Sequence, residues 1–293
     1  MSVPVDNSPD EYDRIEVRPI AASMGAEVHN ADLTRLDDEV FAEIERALYR
    51  HGLLVLLGQN LTHSDQSAFT LRFGEHGVDA FTDGVPDHPD IQPVIREPGP
   101  PGPAFFGAQW HTDSPFLPRP PAISMLRSVE VPPWGGDTVY ASTRQGYESL
   151  STGMKHLLAD LRTLFTRTHV RRAVGLWEDN PELPLDLVPV EHDQLDATAH
   201  PLVRTHPVTG DKSLYLDFNY TVGIAGLHRK EAASLLQFLL AHVTQPEFSC
   251  RIRWEPNMLA IWDNRLVLHQ AFNDVSTHRR EMYRSTVLGE VPV

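Results

Sequence analysis

The chain has 293 residues, of which 41% are hydrophobic and 22% charged, an ordinary globular balance that excludes a disordered chain. Forty acidic residues against 25 basic ones give a formal charge of −15, which argues against nucleic acid or an anionic membrane as partner. No apolar run exceeds five residues, as in Leu53 to Leu57, which is strand-sized and far short of the roughly 20 residues a membrane helix needs. The single cysteine, Cys250, excludes an internal disulfide and fits a reducing compartment, and the acidic start MSVPVDNSPDEYDR is unlike a secretory or mitochondrial signal. These features lead us to expect a soluble, cytoplasmic protein with one domain over residues 1–293.

In chain order, residues 1–11 read as a flexible N-terminus. Val40, Phe41, Ile44, Ala47, Leu48 and His51 follow a helical period that Gly52 stops, and the apolar strand Leu53 to Leu57 comes next. Thr62 and Asp65 form a capping pair opening a short helix that closes at Gly74. The Pro/Gly-dense stretch Glu97 to Pro103 (EPGPPGP) fits neither a helix nor a central strand; we read residues 97–109 as a lid loop. Met154, Leu157, Leu158 and Leu161 mark one helix, and Leu235, Leu236, Leu239, Leu240 and Val243 another. Strands are predicted at Ile123 to Val129, Leu164 to Val170, Leu214 to Leu216, Cys250 to Trp254, Leu259 to Trp262 and Tyr283 to Leu288. Many short strands with few helices predict a mainly β fold with flanking helices, a sandwich or jelly roll. No glycine-rich nucleotide motif follows any strand.

His111-Thr112-Asp113 is the first candidate site. On a strand, residues i and i+2 face the same way, so an imidazole and a carboxylate could grip one metal ion. Fifteen histidines among this many acids make about two such pairs by chance, and the chain has three: His63/Asp65, His88/Asp90 and His111/Asp113. Context separates them. Asp65 is explained by helix capping, and His88/Asp90 brackets Pro89 in a polar turn. His111 stands between Trp110 and Phe116, which places it at the edge of a buried strand, where a carboxylate beside an imidazole needs a strong reason. A bound cation and a plain hydrogen-bonded His/Asp pair both supply one, and the residues alone leave the two open.

A third ligand should come from a neighbouring strand. His269 follows the apolar run that begins at Leu259, and a lone core histidine is its simpler reading. The downstream arginines favour the other. Arg280 and Arg284 lie four apart on one side of a strand with Met282 between them, and two arginines aimed at a core require an anion. Arg279 reads as a surface residue. Two histidines and one carboxylate on a β scaffold form the facial triad of non-haem Fe(II) oxygenases, in which the metal keeps open positions.

On WHTDSPF (Trp110 to Phe116), GGDT (Gly135 to Thr138), HPLVRTHPVTG (His200 to Gly210), WDNR (Trp262 to Arg265) and HRREMYR (His278 to Arg284), the chain resembles the taurine dioxygenase/aryloxyalkanoate dioxygenase family of Fe(II)- and 2-oxoglutarate-dependent enzymes. The spacings match too, with Thr138 lying 25 residues after Asp113, and Arg280 and Arg284 lying 11 and 15 after His269. The resemblance implies a double-stranded β-helix, that is, a cupin-like jelly roll. It implies His111, Asp113 and His269 as iron ligands, Thr138 and Arg280 on the distal carboxylate of 2-oxoglutarate, and Arg284 near its C1 carboxylate and the substrate's anionic group. Trp262 and Asn264 would be scaffold behind the distal histidine.

The implied reaction hydroxylates an unactivated C–H bond of a small anionic organic acid, with 2-oxoglutarate and O2 as co-substrates and succinate and CO2 as products. Related halogenases replace the carboxylate ligand with a small residue, so Asp113 favours hydroxylation. His76, Gln109, Ser114, Phe116 and Tyr220 are the substrate-pocket residues the resemblance suggests. Glu247 to Trp254 (EFSCRIRW) looks closest to the aryloxyalkanoate branch, and Gly107 stands where taurine-acting relatives carry Asn, which argues against taurine. A homo-oligomer, dimer or tetramer, is implied by resemblance alone. Two rivals remain: a hydrolase using Zn(II) on the same ligands, and a catalytically silent jelly roll that captures an organic acid. The first leaves Thr138, Arg280 and Arg284 without a role; the second leaves the intact triad unexplained.

Overall fold

The chain enters the fold through a short hairpin, β1 (Glu16–Pro19) against β2 (Ala26–His29). Helix α1 (Asp38–His51) follows where its period predicts it, burying Ile44, Ala47, Leu48 and His51, with the Asp37 carboxylate accepting from Val40 N at the first turn. Gly52 ends it at φ 72°, the left-handed conformation of a C-terminal cap, and sends its N–H to the Leu48 carbonyl. Strand β3 (Leu53–Leu56) is fully buried, and α2 (His63–Phe73) opens on the expected Thr62/Asp65 capping box. The computed structural model describes residues 6–78, 82–99, 107–167 and 197–293. The expected lid loop at 97–109 therefore lies partly outside the described residues.

The remaining strands are β4 (Gln92–Arg96), β5 (Pro121–Glu130), β6 (Thr138–Ser142), β7 (Arg162–Phe165), β8 (Thr198–Pro201), β9 (Val203–Thr205), β10 (Lys212–Leu214), β11 (Thr221–Ile224), β12 (Ser249–Ile252), β13 (Leu259–Asp263), β14 (Val267–Ala271) and β15 (Arg280–Leu288). Among the described residues, three more α-helices, α3 (Thr143–Glu148), α4 (Thr152–Leu158) and α5 (Arg229–Val243), pack outside them. The large sheet runs β1-β2-β3-β13-β5-β15-β4, and a smaller one runs β12-β6-β14. The architecture is the expected mainly β jelly roll flanked by helices.

Both faces of the large sheet are covered, which explains its unbroken apolar runs. In β13, Leu259 and Ile261 join the core under α1 and α2, while Ala260 and Trp262 point into the space between the sheets. In β3, Leu54 and Leu56 take the helix side, and Leu53 and Val55 the interior. Each fully buried Leu or Ile contributes about 1.5–3 kcal/mol, so this alternation sets the register. On β5, Ile123 and Met125 face the helices; Ser124, between them, faces the interior, where its hydroxyl meets Asp113.

Several expectations need correction. His111 is not on a strand: it forms an isolated bridge to His269, and the chain then bends, with Ser114 at φ 45°. The bend, rather than strand alternation, brings Asp113 beside His111. The strand expected over Cys250 to Trp254 stops at Ile252, and that over Leu214 to Leu216 ends at Leu214. The strand expected from Leu164 spans Arg162 to Phe165, and residues 168–170 lie outside the described ones. Helix α4 stops at Leu158, leaving Leu157 58% exposed and Leu161 beyond its end. The strands missed from sequence, among them β6 (TVYAS) and β14 (VLHQA), are three to five residues long and lack the unbroken apolar run that marks the equally short β3 and β13.

Candidate active site

His111, Asp113 and His269 come together in the interior, all three buried, with one ligand atom from each lying within 4.8 Å of the others. Reciprocal backbone bonds, His111 N to His269 O at 2.9 Å and His269 N to His111 O at 2.8 Å, fix the two histidines side by side. Asp113 Oδ1 lies 3.9 Å from His111 Nε2 and 3.8 Å from His269 Nε2. Those separations are too long for hydrogen bonds and remove the plain His/Asp pair as an account of the cluster.

The protonation states leave acceptors facing one another. His111 Nδ1 donates to the Gln109 carbonyl at 2.7 Å, so the neutral ring turns a lone pair from Nε2 toward Asp113. Burial pushes His111 below its ordinary pKa, and burial with the neighbouring His111 pushes His269 down to about 3. Burial opposes ionisation of Asp113, yet the Arg284 charge and the Ser124 hydroxyl hold its carboxyl below the usual range. Two neutral imidazole nitrogens and a carboxylate oxygen converging without a proton between them form a donor set that fits a divalent transition metal such as Fe(II).

The WDNR motif supports these ligands as scaffold. Trp262 Nε1 donates to Asn264 Oδ1 at 3.0 Å, Asn264 Nδ2 donates to Ser124 Oγ at 2.8 Å, and Ser124 Oγ donates to Asp113 Oδ2. This chain occupies Oδ2 and leaves Oδ1 facing the histidines. Arg265 grips Asp263 at 2.8 and 2.6 Å, and His206 from HPLVRTHPVTG meets the same carboxylate at 3.0 Å, fixing the β13–β14 turn. His269 is held by rings: Trp262 at 4.8 Å and Tyr140, stacked at 5.9 Å. Ser124 and Tyr140 were missed from sequence, since neither carries a spacing signal.

A cavity of about 380 Å³ opens beside the ligands; His111, His269, Thr138, Arg280 and Arg284 lie in its wall. The two glycines of GGDT have φ 69° and 67°, and a Cβ on Gly135 would meet Val275 Cγ2 at 2.4 Å, so this turn into Thr138 requires glycine. Trp254 joins two residues of this wall, donating from Nε1 to Thr138 Oγ1 at 3.0 Å with its ring 5.8 Å from the Arg280 guanidinium. Burial and the Arg96 charge push Arg280 down to about 10, and Arg96, also in the wall, is its direct partner across β4–β15. Arg284 Nη1 lies 3.7 Å from Asp113 Oδ1.

The five suggested pocket residues are not in this wall as formed by the described residues. His76 bridges Val287 in the backbone and meets Ser67 at 3.2 Å and Asp90 at 3.4 Å. Gln109 contributes its carbonyl to His111 and its side chain is exposed. Ser114 forms the bend after Asp113, and Phe116 packs edge-on against Tyr220 at 5.1 Å in an aromatic cluster. Arg279 is a surface residue, held by Glu97, Glu130 and Glu281.

Behind the ligands, Asp217 Oδ1 accepts from the backbone N–H of Tyr220 at 2.7 Å and Thr221 at 3.0 Å, while Oδ2 is buried without a partner among the described residues. Burial outweighs those bonds and raises its pKa to about 7. The native state thus binds more protons than the unfolded chain between pH 3.8 and about 7, and stability falls as pH rises through that window. Asp217→Asn is expected to remove this loss: chemical denaturation should show the variant gaining on the parent between pH 4 and pH 7, by up to about 4 kcal/mol. A constant difference across that range would refute the assignment.

Known proteins match this arrangement along most of the chain. The model of the taurine catabolism dioxygenase TauD, TfdA family matches residues 16–286. The chain is 32% identical to an alpha-ketoglutarate-dependent sulfate ester dioxygenase of Pseudomonas putida, over 95% of this chain and 91% of the relative. It is 30% identical to an alpha-ketoglutarate-dependent 2,4-dichlorophenoxyacetate dioxygenase of Cupriavidus pinatubonensis, over 95% and 99%. The crystal structure of a taurine dioxygenase from Burkholderia xenovorans superposes with a TM-score of 0.79 at 34% identity, over 96% of this chain and 91% of that one.

Proposed function

The chain belongs to the taurine catabolism dioxygenase TauD, TfdA family, and from that membership we propose that it hydroxylates an unactivated C–H bond of a small anionic organic acid, holding Fe(II) on His111, Asp113 and His269. The observation that carries the reading is the cluster of three inward acceptors at separations no hydrogen bond spans. When bound, the iron couples O2 to the decarboxylation of 2-oxoglutarate, which yields succinate and CO2. The protein's own part is placement. The two histidines are held neutral, so no proton has to leave before a metal binds. Ser124 and Asn264 orient the carboxylate, and Thr138 with Arg280 receives the distal carboxylate of 2-oxoglutarate. Val94, Leu126 and Trp262 supply the apolar part of the wall beside the ligands.

Three arginines in one cavity wall, Arg96, Arg280 and Arg284, suit an anionic substrate, the class to which sulfate esters and 2,4-dichlorophenoxyacetate belong. Gly107 widens the site over the first ligand: a Cβ there would lie 3.5 Å from His111 Cε1. This added room favours a substrate bulkier than taurine. We read the whole chain as one domain built around this site. A zinc hydrolase would share the three ligands but has no use for the Thr138–Arg280 pair.

Anaerobic addition of Fe(II) and then 2-oxoglutarate to the metal-free protein tests the reading. A weak visible charge-transfer band is expected only with both present, followed by succinate release when O2 and an accepted organic acid are supplied. A folded protein that forms no band sinks the proposal.

A further inference from the structure

Tyr140 lies on β6 two residues after Thr138, so strand alternation puts both side chains on one face. Both line the cavity, as do His269 and Ala271, their direct partners on β14. The Tyr140 ring stacks on His269, with planes 21° apart, and meets Trp262 edge-on at 5.6 Å. Aromatic packing therefore fixes the side chain in the wall that also holds the metal ligand and Arg280.

The hydroxyl is what this packing leaves unexplained. Tyr140 has 0% exposure, and its oxygen has no hydrogen-bond partner among the described residues. Buried tyrosine hydroxyls are ordinarily paired, so one orphaned in a ligand cavity is a group kept for what binds there. The charged groups that act on it are Asp113 and Arg280; Arg280 shares the cavity wall with it, and Arg280 Nε is likewise buried without a partner among the described residues. The third group is Thr138, whose oxygen already accepts from Trp254 and whose own proton is thereby left for a ligand.

We propose that the Tyr140 hydroxyl is a third hydrogen-bond donor to the distal carboxylate of 2-oxoglutarate, beside Thr138 and Arg280. The proposal rests on the 2-oxoglutarate-dependent reading given above. A carboxylate offers about four acceptor sites, enough for a guanidinium and two hydroxyls at once. No proton changes hands: the tyrosine stays a neutral donor, and Arg280 balances the charge. A 2-oxo acid ending in a methyl group would strand all three donors, so the hydroxyl adds discrimination as well as affinity.

Tyr140→Phe removes one oxygen and keeps the ring packing. The test is calorimetric titration of the full-length protein loaded with Mn(II), a redox-inert stand-in for the iron. The variant is expected to bind 2-oxoglutarate about tenfold more weakly than the parent. Its affinity for 2-oxopentanoate, which has a methyl group in place of the distal carboxylate, should equal the parent's. Without ligand its thermal midpoint should be no lower, since no protein partner is lost. Unchanged affinity for 2-oxoglutarate, or equal weakening toward both acids, overturns the proposal while the oxygenase reading stands. A parent protein that binds no 2-oxoglutarate overturns both.

Discussion

Substituting His269 with alanine is expected to abolish Fe(II) binding and turnover together while leaving the fold intact. The imidazole is one of three converging donors, and its loss leaves His111 and Asp113 as a two-ligand site. Loss of groups that merely orient metal ligands costs about 10–100-fold in affinity or activity, so loss of a ligand should exceed about 100-fold in both. The backbone bridge to His111 does not involve the ring and survives. The variant should also be less sensitive to acid. His269 is held neutral down to about pH 3, whereas an unfolded histidine takes a proton near 6.5. In the metal-free parent, this site's stability is therefore complete above pH 6.5 and is lost as pH falls toward 3. Without the ring that component disappears. Anaerobic spectra with Fe(II) and 2-oxoglutarate, succinate release and denaturation at pH 5 and pH 7.5 read all three effects; a variant that keeps the charge-transfer band would remove His269 from the metal site.

Arg280→Gln should separate ligand binding from stability in the opposite sense. A guanidinium meeting a carboxylate makes charge-assisted bonds of about 1.5–3 kcal/mol, so 2-oxoglutarate should bind about 100-fold more weakly, with no comparable loss for 2-oxopentanoate. The ligand-free variant should melt at a higher temperature than the parent. Arg280 sits directly across from Arg96 in the β4–β15 register, and like charges directly opposite one another destabilise a sheet. Burial, reinforced by Arg96, already disfavours the Arg280 charge. Calorimetry and thermal melts check the two halves independently. Tight 2-oxoglutarate binding together with a lowered melting point would mean that Arg280 is a structural cation.

The legible parts of this fold are those with a long or capped pattern. Helix α1 has four buried positions at helical spacing and a glycine stop, and α2 has its capping box. The β13 run is apolar because both faces of its sheet are covered. Strands such as β6 and β14 carry Thr138, Tyr140 and His269, and the polar residues interspersed in them (TVYAS, VLHQA) leave no apolar run to announce a strand. Expected and observed placement part at the first two proposed metal ligands, because His111 and Asp113 are set by a bridge and a bend. The suggested pocket residues Phe116 and Tyr220 pack on each other, a pairing across distant segments that neither neighbourhood reveals.

Residue type and local spacing were enough to raise a candidate site (imidazole and carboxylate two apart, a later histidine, two arginines on one strand face), and the resemblance carried by several separated motifs implied its chemistry. They could not say why His111/Asp113 is a site while His63/Asp65 is a helix cap, beyond the apolar context around each. That distinction comes from contacts between distant segments, which bridge His111 to His269 and bring the Ser124 hydroxyl onto one oxygen of Asp113, with Asn264 bonded to Ser124 behind it. It also left Tyr140 with a buried hydroxyl and opposed two arginines across β4 and β15. Local propensity reports only on a residue's neighbours in the chain. Which groups meet in the interior depends on strand register, which is set by burial summed over the whole sheet.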